Sequence, residues 1–445
     1  MNASFSPFRE KMQAAGLSEA AIAAFERAFA LLASQESGLI SESSINPVER
    51  LPNYEEISGG QADGGLLAKA VMLKLNGGLG TSMGLEKAKS LLVVRNGETF
   101  LDLIARQVLA ARKQTGANLR FLLMNSFSTS EDTRRHLARY PELGAPADLE
   151  LLQNKVPKIA VEKLTPVEWP ADPDLEWCPP GHGDLYPAIL GSGVLDRLLK
   201  EGYLYLFVSN SDNLGATMDP ALLNWFAGSD MPFLMEVTTR TAADRKGGHL
   251  AKRARDGQLL LRESAQCSEE DMNFFQDTNR HRYFNTNNLW LRLDHLAEGL
   301  QRNGGLLPLP VITNQKTVDP RDKKSPAVFQ LETAMGAAIE CFAGAGAVVV
   351  PRTRFAPVKT TSDLLALRSD AYVITEDGRA MLAPEREGIP PEIDLDSKHF
   401  KLVDQLETAL AGGVPSLLHC RKLTVRGPLR FSSSDRFEGD VAMEA

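Results

Sequence analysis

The chain has 445 residues, 43% hydrophobic and 24% charged, with a formal net charge of −8. That length exceeds what one hydrophobic core usually supports, so two or three domains are expected. The acidic balance excludes a non-specific nucleic-acid binder and adhesion to an anionic membrane, and leaves an anionic small molecule as a partner only where positive charge is local. No basic and apolar leader opens the sequence, and no stretch reaches the roughly 18 apolar residues of a membrane span. Cys178, Cys267, Cys341 and Cys420 are scattered without a C-x-x-C pair. Free thiols in a reducing, cytoplasmic setting are the expectation.

In chain order, Ser18 can cap an amphipathic helix over residues 18–34, whose Ile22, Phe25, Phe29 and Leu32 form a docking face. Asn46-Pro47 stops the pattern, and residues 59–65 read as a loop. Residues 70–75 then read as a buried strand. It empties into Asn76-Gly77-Gly78-Leu79-Gly80-Thr81-Ser82-Met83-Gly84, with four glycines in eight residues. So much backbone freedom points to N–H groups that approach a ligand closely, and phosphate at a strand-to-helix turn is the usual guest. Lys89 follows at a distance suited to adding a positive charge. The spacing excludes a P-loop, because Met83 stands where the second glycine belongs, and a dinucleotide fingerprint, because Gly84 comes one residue late. The next strand ends in Asn125 instead of a ribose-binding acid, which also disfavours an NAD(P)-dependent oxidoreductase.

Strands and helices alternate from there: a helix over 100–113, a strand over 119–125, a helix over 130–140 and a strand over 149–153. This alternation implies a mainly parallel sheet covered on both faces. Trp177-Cys178-Pro179-Pro180-Gly181-His182-Gly183-Asp184 is a rigid loop that leaves His182 unshielded between two glycines, before a helix over 186–201. A strand over 203–208 ends in Asn210 and Asp212, where an open sheet places ligands and where a carboxylate suits a Mg²⁺ ion; an Asx-turn is the plainer use. Residues 232–238 and 258–262 read as strands, with Gly248 in the turn between them and Glu263 at the end. Tyr283-Phe284-Asn285-Thr286-Asn287-Asn288-Leu289-Trp290 packs amides between aromatics, a composition suited to a polyhydroxylated ligand. Residues 330–342 read as a helix, and Lys359 stands before a helix capped by Thr361 or Ser362. Beyond about residue 385, short β pieces at 423–427, 429–431 and 437–441 point to a small β domain.

The segments 75–84, 179–184, 208–216, 284–290 and 357–364 occur in an order that resembles the UTP–glucose-1-phosphate uridylyltransferases, the UDP-glucose pyrophosphorylases of the eukaryotic type. Leu123-Met124-Asn125-Ser126-Phe127 and Gln330-Leu331-Glu332-Thr333-Ala334-Met335-Gly336 support the likeness, which runs from about residue 40 to 430. The resemblance implies an α/β fold: a glycosyltransferase-A-like, Rossmann-like core with a mixed, mainly parallel sheet, and a short C-terminal left-handed β-helix. Its domains would be an N-terminal helical segment (1–60), a nucleotidyltransferase domain (61–385) and the β-helix (386–445). It implies transfer of the uridylyl group of UTP to glucose 1-phosphate, giving UDP-glucose and pyrophosphate, with Mg²⁺ as cofactor and no nucleic-acid or membrane partner.

By the same resemblance, Leu75, Asn76, Gly77 and Gly78 would line the UTP site, with Lys89 on its phosphates and Met124, Gln153 and Gly181 at the uracil. His182 and Asn210 would face the sugar phosphate, and Asp212 would hold Mg²⁺. Gly248, Glu263, Asn285 and Asn287 would surround the glucose, and Lys359 would reach the phosphates from the opposite wall. The chain departs from the pattern at Lys87-Ala88, where relatives often carry Gly-Pro, and the β-helix that the resemblance implies would be shorter than its usual length. Rival readings are a UDP-sugar pyrophosphorylase accepting galactose 1-phosphate and a non-catalytic nucleotide-sugar sensor. Oligomeric state is left open.

Overall fold

The computed structural model describes residues 4–34, 38–57, 64–241 and 244–444. The loop expected over 59–65 lies outside them as far as residue 63, and Gly64–Leu67 is a helical turn. The chain divides into two compact units: Met1–Leu73 with Leu151–Val208 and Pro220–Val350, and Lys74–Glu150 with Ser209–Asp219 and Pro351–Ala445. Among the described residues no helix is long and apolar enough to cross a membrane.

The first unit is built on a mixed sheet. Tyr283–Arg292 pairs antiparallel with Tyr205–Asn210 and with Phe233–Thr239, and Phe233–Thr239 runs parallel to Gly346–Val349. Phe233, Leu234, Met235, Leu289, Trp290 and Leu291 are fully buried, as a near-continuous apolar run covered on both faces requires. At the N-terminus Ser18 caps Glu19–Ala33 by accepting the N–H of Ala21, and Ile22, Phe25 and Phe29 are buried against Phe8, Met12, Val156 and Ile159. The rings of Phe8 and Phe29 lie 4.9 Å apart. Each such side chain contributes roughly 2–3 kcal/mol when buried. The docking face is therefore core.

Two expected helices differ. The one over 186–201 is two, Leu185–Gly191 and Val194–Lys200, because Gly193 at φ +71 turns the chain between them. The one over 330–342 is the strand Ala327–Thr333, paired antiparallel with Val311–Thr317, followed by a 3₁₀ segment, Met335–Cys341. Leu331, Ala334, Met335 and Ala338 have helical spacing, but the partner strand claims the backbone hydrogen bonds first.

In the second unit, Phe100–Thr115 starts with a capping box in which Thr99 and Asp102 exchange bonds between side chain and backbone. The glycine turn leads to two 3₁₀ turns, Thr81–Met83 and Lys89–Leu91, and not to an α-helix. Gly80 and Gly84 hold φ of +70 and +77, which spends the backbone's freedom on folding the turn over Lys89. Near the C-terminus Glu392–Leu395, Ser416–Arg426 and Arg436–Glu444 form a parallel three-stranded sheet; residues 429–431 are not a strand. Leu402 packs over Gly84, while the Thr361 hydroxyl donates to Phe400 O and Ser362 accepts the N–H of Leu395. The C-terminal segment thus holds both the glycine turn and the stretch after Lys359.

Candidate active site

The strand Ala70–Asn76 delivers its last residues into a polar cluster of the second unit. The buried Lys74 ammonium donates to Ser209 Oγ at 2.8 Å and Ala216 O at 2.5 Å. The Asn76 side chain donates to Asn125 Oδ1 and Thr133 Oγ1 at 2.7 and 2.9 Å and accepts from Ser211 at 3.2 Å. With every polar atom so engaged and the residue 2% exposed, it braces the turn, and only its backbone remains to offer a nucleotide. Ser126 donates to Gly77 O, and the N–H of Lys89 bonds Gly78 O at 3.1 Å, closing the turn on itself. Leu75 precedes this brace, and Met124 is buried on the strand Arg120–Asn125.

Lys89 and Asp212, 123 residues apart, meet as an ion pair with Nζ 2.7 Å from Oδ2, each side chain 16% exposed. Lys87, the other lysine of the loop, is exposed. Asp212 follows the strand Tyr205–Asn210, with half-buried Asn210 at its end; the N–H of Ser211 bonds Leu75 O, and that of Val358 bonds Asp212 O at 3.2 Å. Asn213 fastens the same strap, donating to Arg354 O and accepting from the N–H of Ala356. Lys359, one residue past Val358, is exposed and has no ion-pair partner among the described residues. Its peptide N–H bonds Asp363 Oδ2, and Thr360 is the helix cap, one residue earlier than expected.

A Mg²⁺ ion fits here on one observation. Asp212 Oδ1 is buried without a hydrogen-bond partner, an atom whose desolvation is otherwise uncompensated. Among the described residues no group of three or more His, Cys, Asp or Glu could cage a metal. One carboxylate with the remaining ligands from phosphate and water is the habit of Mg²⁺.

The first unit holds the other predicted residues. Its histidine loop lies flat on Thr333, whose N–H bonds Pro180 O at 2.9 Å. A Cβ on Gly181 would stand 2.5 Å from Thr333 O, and one on Gly183 would collide with the Thr333 side chain. Gln153 donates to Gly181 O at 2.9 Å, and Asp184 accepts the backbone and side-chain N–H groups of Asn154 at 2.7 and 3.0 Å. Burial pushes Asp184 up to about 7, against the bonds from Asn154.

His182 Nδ1 accepts the N–H of Met335 at 3.0 Å, and burial lowers its pKa to about 4. The ring is thus neutral near pH 7 with its proton on Nε2. Below pH 6.5 the unfolded chain takes up a proton that the folded chain refuses, so stability falls as pH drops toward 4. Asp184 acts oppositely, so the His182→Gln comparison isolates the imidazole. Between pH 7 and 5 the variant is expected to lose about 1–2 kcal/mol less than the parent, read from urea midpoints at the two pH values.

Asn285 and Asn287 face each other on the strand Tyr283–Arg292: Asn285 Nδ2 donates to Asn287 Oδ1, and the N–H of Asn287 to Asn285 Oδ1, both at 2.9 Å. A Cβ on Gly336 would stand 2.9 Å from Asn285 Nδ2, and one on Gly248 2.5 Å from Glu263 Oε2. Both glycines therefore admit a polar side chain against the backbone. Thr333, Met335 and Gly336, in the segment 330–336, carry no sequence signal of a role; they back the histidine loop and Asn285, a contact visible only in three dimensions.

The family model described as UTP--glucose-1-phosphate uridylyltransferase matches residues 22–436. The UTP--glucose-1-phosphate uridylyltransferase of Saccharomyces cerevisiae is 42% identical over 399 residues, 89% of this chain and 78% of that protein. That of Solanum tuberosum is 40% identical over 383 residues, 85% and 78%. Among solved structures, a mutant UDP-glucose pyrophosphorylase from Leishmania major in complex with UDP-glucose matches at TM-score 0.94 and 49% identity, covering 100% of this chain and 95% of that one. A UDP-glucose phosphorylase from Trypanosoma brucei matches at TM-score 0.91 and 51% identity, covering 98% and 94%. With the family model matching residues 22–436 and relatives about 40% identical over most of the chain, this chain belongs to the UTP–glucose-1-phosphate uridylyltransferase family.

Proposed function

We propose that the chain joins glucose 1-phosphate to the α-phosphorus of UTP, forming UDP-glucose and releasing pyrophosphate. The observation that carries the reading is the Lys89–Asp212 pair beside the glycine turn, which brings a cation together with a carboxylate whose Oδ1 is unpartnered and so supports a phosphate and metal site. A phosphate oxygen of the sugar ester forms the new P–O bond as the bond to the β-phosphate oxygen breaks. The nucleophile is already ionised, so no general base is needed. The obstacle is repulsion: two unit charges about 4 Å apart cost roughly 4 kcal/mol at an effective dielectric near 20. Lys89 and Lys359 offset that repulsion and the charge developing on pyrophosphate, while the amides of Gly77 and Gly78 fix the triphosphate for in-line attack. Mg²⁺, held by Asp212, would supply further neutralisation of the phosphates. Gln153, Gly181 and Met124 serve the uracil; His182, through Nε2–H, and Asn210 serve the sugar phosphate; Gly248, Glu263, Asn285 and Asn287 serve the glucose.

The finer architecture belongs to the same reading. The parallel rungs Ile393–Leu423–Val441 and Leu395–Val425–Met443 support a short left-handed β-helix after a glycosyltransferase-A-like core, with domains at 1–60, 61–385 and 386–445. Four free cysteines, three of them buried, support a reducing cytoplasmic setting.

The test is pyrophosphate release from UTP, glucose 1-phosphate and Mg²⁺, with ATP, CTP and GTP replacing UTP and galactose 1-phosphate replacing the sugar. Release with UTP and glucose 1-phosphate alone is expected; none would overturn the reading. Lys359→Ala is expected to lower kcat about 100-fold. Its thermal midpoint should stay unchanged, since an exposed side chain is removed. Near-parental turnover would take Lys359 out of the mechanism.

A further inference from the structure

Glu236 is a fully buried carboxylate on the strand Phe233–Thr239, next to the asparagine strand and outside every role assigned above. Its Oε2 accepts from Asn288 Nδ2 and its Oε1 from Trp290 Nε1, each at 2.9 Å. A buried acid is tolerated only where donors meet it, and these two come from one strand. At the same place the ladder slips. Glu236 lies opposite Asn288 but Val237 lies opposite Asn285, which leaves Thr286 and Asn287 bulged out of register. Asn287 takes a left-handed φ of +60, a conformation asparagine tolerates better than most residues. The Thr286 hydroxyl pins the bulge from beneath, donating to Glu236 O at 2.7 Å and accepting the N–H of Asn288 at 3.3 Å. What the bulge presents is the mutually bonded Asn285–Asn287 pair.

We propose that Glu236 is a positioning residue for sugar recognition: with Thr286 it clamps the bulge, so that Asn285 and Asn287 are preset to receive hydroxyl groups of the sugar. Bulges re-aim side chains beside active sites, and preset donors cost no ordering when ligand binds. The clamp acts through the asparagines and touches no substrate. This inference rests on the reading that Asn285 and Asn287 serve the glucose.

The test compares KM values. In Glu236→Gln the N–H of Asn288 or of Trp290 meets an amide NH₂ in place of an oxygen. KM for glucose 1-phosphate is expected to rise about tenfold, the worth of one hydrogen bond, with kcat and KM for UTP within about twofold. Thr286→Val, which keeps shape and deletes the pinning hydroxyl, should do the same and serves if Glu236→Gln folds poorly. Asn285→Ala and Asn287→Ala should raise the same KM, and adding Glu236→Gln to Asn287→Ala should raise it little further. If the asparagine variants raise KM for the sugar while Glu236→Gln and Thr286→Val do not, or if Glu236→Gln multiplies undiminished onto Asn287→Ala, the clamp is refuted and the sugar reading stands. If the asparagine variants leave that KM unchanged, the sugar reading fails and the clamp with it. Equal rises in KM for UTP and for the sugar would mark general loosening and also overturn the proposal.

Discussion

Asp212→Asn is expected to lower turnover by about 10³-fold, some 4 kcal/mol of transition-state stabilisation. The substitution keeps the volume and the backbone bonds of Asp212 to the strap at Val358 while deleting the charge that pairs with Lys89. Both side chains are only 16% exposed, so the Lys89 ammonium is left partly desolvated beside a neutral amide. That cost falls on the free enzyme and is relieved when a triphosphate arrives. KM for UTP should therefore change far less than kcat, and steady-state kinetics at saturating Mg²⁺ separate the two. A variant keeping a tenth or more of parental kcat would mean that the carboxylate serves only to hold Lys89.

Gly181→Ala should be the most damaging single methyl in the first unit. Its φ of +79 with ψ of 171 lies in a region open almost only to glycine and costs an L-residue about 1–3 kcal/mol, and the new Cβ would stand 2.5 Å from Thr333 O and 2.9 Å from Thr333 N. Both contacts are backbone and cannot rotate aside. The loop must lift from Thr333, giving up the bond from the Thr333 N–H to Pro180 O and the bond from Gln153 to Gly181 O. A rise in KM for UTP of about 100-fold and a loss of about 3 kcal/mol of stability are expected. Gly193→Ala is the control. Its φ of +71 with ψ of 7 is the milder left-handed helical conformation and nothing lies within 4 Å of the added Cβ, so it carries a modest backbone strain without the clash and should leave KM for UTP unchanged.

Chemistry confined to a short run of residues was readable without coordinates. The apolar run 70–75 emptying into glycines had to become a strand and a tight turn, and Lys89 and Asp212 each stood at the end of a recognisable local pattern. What failed was the part decided by distant partners. Residues 330–334 have helical spacing and strand pairing, and the partner Val311–Thr317 settled the matter. The glycine turn promised a helix N-terminus, but Gly80 and Gly84 fold it into 3₁₀ turns. Asn76 reads as a ligand residue in a motif, yet its side chain is consumed by Asn125, Thr133 and Ser211, at sequence separations of 49, 57 and 135. Glu236 gave no signal at all. An acid in an apolar run resembles a strand boundary until Asn288 and Trp290 are found around it.

The central claim is that Asp212 offers a single carboxylate to a metal whose other ligands arrive with the nucleotide. Electron paramagnetic resonance of Mn²⁺ in place of Mg²⁺ tests it most directly. The parent should show little bound Mn²⁺ alone and about one protein-bound Mn²⁺ per chain with UTP, with that signal lost in Asp212→Asn. Tight Mn²⁺ binding without nucleotide, or an unchanged ternary signal in the variant, would contradict the account.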